Sequence, residues 1–137
     1  MLIGLSEEQL KAIPSTILGF RRTADAIQLA QWYSLADVFI NPTYEDNYPT
    51  TNLEAIACGT PVVTYNTGGS PESLGSSTGM VVDKGDIKGL ESAIYKIVEY
   101  GKETYRDECL EHARAFFNKD DKFNEYIDLY KTILSDA

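Results

Sequence analysis

The stretch Asp37–Tyr65, "DVFINPTYEDNYPTTNLEAIACGTPVVTY", leads from one short apolar run through an acid-bearing connection and a short helical segment into a second apolar run. Neither run alternates with polar residues, which suits strands of a parallel sheet covered on both faces. The segment from about Asn52 to Cys58 reads as a helix that Gly59 stops, and "PVVTY" follows it as a strand. Strand, connection, helix and strand in that order make one βαβ unit, the repeat from which α/β domains are built.

The same alternation extends in both directions. Towards the N-terminus, "MLIGL" is a short apolar run, and Ser6 with Gln9 three residues on forms a capping box opening a helix that Pro14 must end. "STILGF" reads as a second buried strand, and after "RRTAD" the residues Ile27, Leu29, Ala30, Tyr33 and Ala36 share one side of a helix. Towards the C-terminus, "NTGGSPESL" has Ser70 as N-cap and Pro71 at the first helical position, before a shorter strand "GMVVD". The pattern predicts a doubly wound α/β domain with a parallel sheet. From about residue 86 to 137 the chain becomes helical, with core-facing stripes at Ile87, Leu90, Ile94, Ile97 and Val98, at Tyr105, Cys109, Ala113, Phe116 and Phe117, and at Phe123, Tyr126, Ile127, Tyr130, Ile133 and Leu134.

Size and composition fit this reading. A chain of 137 residues suits one domain of the usual ~100 to 200 residues. No apolar run approaches the roughly 20 residues of a membrane span, and "MLIGLSEEQL" lacks the features of a secretory signal, so the cytoplasm is the expected compartment. A net charge of -9 disfavours a nucleic-acid partner. Cys58 and Cys109 lie in helical segments without metal or disulfide spacing, and the single histidine, His112, allows no histidine metal cluster. Both cysteines read as small core residues and His112 as a surface or half-buried imidazole.

In a parallel sheet the strand-to-helix turns emerge on the carboxyl edge, where open α/β sheets bind ligands. Three such turns carry unusual residues: "GFRRT", "NPTYEDNYPTT" and "NTGGSPE". Each feeds a helix start whose free N–H groups and dipole favour an anion. Gly68 and Gly69 allow close backbone approach, and Arg21 and Arg22 add fixed positive charge. Neither the dinucleotide fingerprint nor the P-loop occurs. Bland readings stand beside these: the glycines suit an ordinary turn, Glu45 and Asp46 suit a solvated turn, and Thr51 with Glu54 forms a capping box.

The string "LADVFINPTYEDNYPTTNLEAIACGTPVVTYNTGGSPES" resembles the nucleotide-sugar-binding domain of family-4 glycosyltransferases, retaining enzymes of the GT-B fold, closest to bacterial members that build capsular and other surface polysaccharides. The resemblance implies a Rossmann-like half of a GT-B fold over residues 1–137, with helices at its C-terminal end. It also implies a nucleotide-diphosphate sugar (UDP-, GDP- or ADP-sugar) as donor substrate, with no cofactor and no metal. The family motif is an acid, seven residues and a Glu, and counting back eight from Glu54 reaches Asp46, with Glu45 the alternative. By resemblance, Glu54 accepts hydrogen bonds from the ribose hydroxyls and Asp46 binds the donor sugar. The backbone around Tyr48, Pro49, Thr50 and Thr51 holds sugar oxygens and diphosphate. Gly19, Phe20, Arg21 and Arg22 border the base, and Gly68, Gly69, Ser70 and Glu72 close the far side.

Relatives also carry an opening strand and a helix starting with Lys-Gly, neither of which precedes "MLIGL". The chain is therefore expected to be a donor domain truncated on its N-terminal side, inactive alone, with unpaired strand edges that close up, dimerise or exchange strands. An acceptor glycan or lipid-linked glycan would bind a preceding domain, and the full-length protein would work in the cytoplasm or at the inner face of the membrane. A non-catalytic sugar-nucleotide-binding or interaction module and a sugar-nucleotide epimerase of the same fold are the alternatives.

Overall fold

A computed structural model describes residues 1–135. Strands β1 (Leu2–Ile3) and β2 (Gly19–Phe20) pair in parallel, with helix α1 (Glu7–Ala12) between them. Helix α2 (Ala26–Leu35) leads to β3 (Phe39–Asn41), α3 (Thr50–Ala57), β4 (Val62–Tyr65), a 3₁₀ turn (Pro71–Ser73) and β5 (Gly79–Val82). β3, β4 and β5 form a second parallel sheet in that order. Helices α4 (Ile87–Tyr100), α5 (Glu103–Phe116) and α6 (Lys119–Ser135) complete the described residues, none long and apolar enough to cross a membrane.

Central strand β4 shows why its sequence has no alternation. Successive side chains point to opposite faces, and both faces are covered. Val62 joins Tyr33, Ala55, Ile56, Cys109 and Ala113 in a core built with α2, α3 and α5, whereas Val63 packs with Ala93 and Ile97 of α4. Each fully buried valine contributes about 1.5–3 kcal/mol relative to exposure. A long-range tie closes the first face: the Lys102 ammonium, at the start of α5, donates to the Ser34 carbonyl in the last turn of α2 at 2.6 Å. It fills one of the acceptors a helix end leaves free.

The expected elements are present with shifted bounds. Ser6 and Gln9 form the reciprocal capping box foreseen for α1. Helix α3 begins at Thr50, earlier than its sequence suggests, and Gly59 ends it with φ +73°, a left-handed conformation suited to glycine. In "STILGF" only Gly19 and Phe20 pair as strand.

Two findings differ from the sequence reading. The third apolar stripe does not face the core: α6 has no buried residue, and Phe123, Tyr126, Ile127, Tyr130, Ile133 and Leu134 are all exposed. Periodicity reports an apolar face but not whether anything lies opposite it. Of the first two stripes, Ile87, Val98 and Phe116 are likewise exposed, at the start and outer face of α4 and the last turn of α5. The predicted helical region 86–137 is otherwise helical, with Asp86 capping α4 through the Gly89 N–H; its last two residues lie outside the described ones. The second finding is that the strands form two parallel sheets, not one, because β1 and β3 do not pair. A cavity of about 540 Å³ separates them, walled by Met1, Leu2 and Ile3 on one side and Val38, Phe39 and Ile40 on the other.

Candidate functional site

The carboxyl ends of β3 and β4 release two loops that lean on each other. The Gly69 N–H donates to the Asp46 carbonyl at 3.2 Å, and the Thr67 hydroxyl donates to the Thr43 carbonyl at 3.0 Å. A Cβ on Gly68 would collide with the Asp46 carbonyl, and one on Gly69 with the Asn47 carbonyl. Gly68 also has φ +50°. This close approach of two backbones is what requires glycine at both positions.

Beneath the loops lies a buried polar chain that the motif reading did not pick out. Asn52, 0% exposed, accepts from the Asn41 side-chain amide at 2.9 Å and donates to the Ser73 hydroxyl at 2.9 Å. Ser73 in turn donates to the Ser70 carbonyl at 2.6 Å. The Thr64 hydroxyl donates to the Asn41 carbonyl at 2.9 Å and lies 3.1 Å from the Ser70 hydroxyl. Every link satisfies a group that burial would otherwise leave unpaired, so the network fixes the ends of β3 and β4, the first turn of α3 and the turn after β4 in one register. A polar residue at an inward position of an apolar helix was the available sequence signal, and Asn52 between Thr51 and Leu53 carries it.

The acids occupy different settings. Glu45 is exposed, and the half-buried Asp46 folds back so that its Oδ1 accepts the Tyr48 N–H at 3.1 Å. That N–H, foreseen as a sugar-binding group, has its acceptor here. The predicted capping box at Thr51 and Glu54 is not formed: the cap position is Pro49, and no side chain among the described residues caps the helix. Because α3 starts at Thr50, Thr51 already lies inside it, and Glu54 lies too far along to reach back to the cap. The Glu54 Oε2 instead accepts the Tyr33 hydroxyl at 3.1 Å. Thr51 and Glu54 border the cavity between β1 and β3.

Burial pushes the Tyr33 phenol well above its ordinary range, and the Glu54 charge and hydrogen bond push it further. Tyr33 therefore stays a donor to the carboxylate. Thr50 and Thr51 place their N–H groups in the first turn of α3, where no intrahelical acceptor exists and the dipole is positive. On the neighbouring sheet, Arg21 and Arg22 follow β2 and line a shallow open depression with Gly4, Leu5, Ser6, Glu7 and Gln9. Arg21 pairs with Glu7 at 2.7 Å in an exposed ion pair, while Arg22 and Glu72 are exposed. In the loop after β5, the Lys84 ammonium lies 5.1 Å from the Tyr44 ring centre, a cation–π contact that steadies the acid-bearing loop.

Residues 2–100 match the family described as Glycosyl transferases group 1. The chain belongs to that family. Among curated relatives of this glycosyl transferase domain, D-inositol 3-phosphate glycosyltransferase 2 of Catenulispora acidiphila is 32% identical over 108 residues, covering 73% of this chain and 24% of the relative. The capsular polysaccharide biosynthesis glycosyltransferase CapM of Staphylococcus aureus is 27% identical over 127 residues, covering 90% of this chain and 32% of the relative. The domain thus spans about a quarter to a third of these relatives' length.

Among solved structures, sucrose-phosphate synthase from Thermosynechococcus elongatus superposes with TM-score 0.74 and 29% identity over 86% of this chain and 30% of the other. The catalytic domain of Arabidopsis thaliana starch synthase IV, bound to ADP and acarbose, gives TM-score 0.63 and 17% identity over 94% of this chain and 28% of the other, a likeness of fold. The α/β, GT-B-type domain expected from the sequence is the fold observed.

Proposed function

We propose that this domain binds a nucleoside-diphosphate sugar at the carboxyl edge of β3 and β4, as the donor half of a retaining glycosyltransferase that transfers the sugar to an acceptor glycan or lipid-linked glycan. One observation carries the reading. The first turn of α3 has no side-chain cap, and Glu54, one turn further along the same helix, has a carboxylate oxygen without a partner among the described residues. The two together suit an anion beside a pair of hydroxyls, the combination a nucleoside diphosphate carries.

In this reading the N–H groups of Thr50 and Thr51 face the diphosphate, Glu54 accepts from ribose, Arg21 and Arg22 lie towards the base, and Asp46, or Glu45 beside it, meets the donor sugar. Cleavage of the bond between the anomeric carbon and the diphosphate leaves negative charge on the departing phosphate. N–H dipoles oriented there stabilise the transition state more than the ground state. Nothing in this scheme calls for a metal.

The test is a titration of the 137-residue chain with UDP, GDP, ADP and their glucose conjugates, followed by amide NMR. Shifts at Thr50, Thr51 and the loop 66–72, lost in Glu54→Ala with the helix intact by circular dichroism, are the expected result. Saturation by none of the six compounds at millimolar concentration overturns the reading.

A further inference from the structure

We propose that Tyr33 is a positioning residue for Glu54, holding one carboxylate oxygen so that the other is presented to the ribose hydroxyls. The inference rests on the donor-binding reading above and adds the group that sets its ribose selectivity. Its ground is geometric. Glu54 lies on an exposed helix face with three rotatable side-chain bonds, yet its Oε2 is held at 3.1 Å by the Tyr33 hydroxyl. Among the described residues no other hydrogen bond or ion pair to the Glu54 side chain occurs. Oε1 is left with its full acceptor capacity.

Tyr33 is itself firmly placed. It is 9% exposed within the core of Ala55, Ile56, Val62, Cys109 and Ala113. Its ring meets Phe39 edge-on at 5.3 Å between centres, and its carbonyl accepts the Thr60 hydroxyl at 2.6 Å. A rigid donor on α2 thus fixes a flexible acceptor on α3 before ligand arrives. Ordering a glutamate side chain otherwise costs conformational entropy at the moment of binding. Both residues border the same cavity, as does Thr51, so the held carboxylate faces open volume.

The experiment compares the unsubstituted chain with Tyr33→Phe and Glu54→Gln. Affinities are measured for UDP, GDP and ADP and for their 2′,3′-dideoxy counterparts. Tyr33→Phe keeps the ring and removes only the hydroxyl. It is expected to lower the preference for the ribonucleotide over the dideoxy form by about fivefold, leaving dideoxy affinity unchanged. Glu54→Gln is expected to weaken the same preference.

Selective labelling of tyrosine with ¹³C gives a readout without ligand. The Tyr33 Cζ resonance, observed near pH 7, should shift in Glu54→Gln relative to the unsubstituted chain, since the charged acceptor of its hydroxyl is gone. An unchanged Tyr33 resonance overturns the coupling. Equal loss of ribo and dideoxy affinity in Tyr33→Phe, or unaltered selectivity, overturns the positioning role alone. No binding of any nucleotide by the unsubstituted chain overturns the donor-binding reading together with it.

Discussion

At the scale of single residues, the site depends on polar groups in places where apolar ones would pack as well. Asn52 is the clearest case, fully buried and bridging Asn41 to Ser73. Asn52→Ala leaves the Asn41 amide without an acceptor and the Ser73 hydroxyl without a donor. The expected cost is about 2–3 kcal/mol of unfolding free energy, read from urea denaturation, with an unchanged slope. His112 behaves differently. Its imidazole packs against the Phe116 and Phe117 rings, at 4.7 and 5.1 Å between centres, and its buried Nε2 has no partner among the described residues.

Burial holds the His112 pKa below its ordinary 6.5, so the unfolded chain takes up the proton first as pH falls. Its contribution to stability is complete above pH 6.5 and is lost as pH drops through the lower folded value. His112→Phe is expected to remove that part of the slope in thermal denaturation measured from pH 7.5 to 5. The single histidine was legible from the sequence as a surface or half-buried imidazole that builds no metal cluster, and half-buried is where it lies. Its aromatic packing was not, because Phe117 reads as part of a helical stripe but sits at the cap of α5, where the chain turns.

At the scale of elements, the βαβ unit around Asp37–Tyr65 was legible because three signals agree there: an unbroken apolar run, a glycine stop and a second apolar run. The position of α3 was not. Thr51 and Glu54 satisfy the spacing of a capping box, but local spacing cannot see that Pro49 sets the helix start earlier or that Tyr33, far back in the chain, supplies a stronger partner. The two glycines are a second example. Their composition suggested either a turn or a ligand cradle, and the structure gives them a third task, letting the loop after β4 approach Asp46 and Asn47.

Gly69→Ala therefore forces the loops apart, even though its φ is not left-handed. It is expected to cost more than about 2 kcal/mol and to shift the amide resonances of residues 45–48, which a substitution acting only through its own turn would leave in place. Cys109 shows the opposite kind of element-level placement. Helix α5 carries it into the core, where its thiol faces the Thr78 carbonyl at 3.8 Å and burial pushes its pKa up to about 12. Thiol titration of the native chain should modify Cys58 first and reach Cys109 only on unfolding, because the thiolate is the reactive form.

At the scale of the whole molecule, the fold is closed on one side and open on the other. Around β4 both faces are covered, while the edges of β1 and β3 face each other across an apolar-walled cavity and α6 exposes its aromatic stripe. The sequence showed every strand, yet pairing between distant segments depends on what lies between them, and no local pattern records that. Unpaired edges and a continuous apolar helix face favour association with another chain. A net charge of -9 opposes it through repulsion that salt screens. The two tendencies give a prediction with a definite sign. Sedimentation equilibrium should find a weight-average mass that rises above 15.2 kDa with concentration, and rises further when ionic strength is increased from about 0.01 to 0.5 M. Association driven instead by exposed ion pairs would weaken with salt. A mass fixed at 15.2 kDa under all these conditions would mean that the edges and the α6 face are satisfied within one chain.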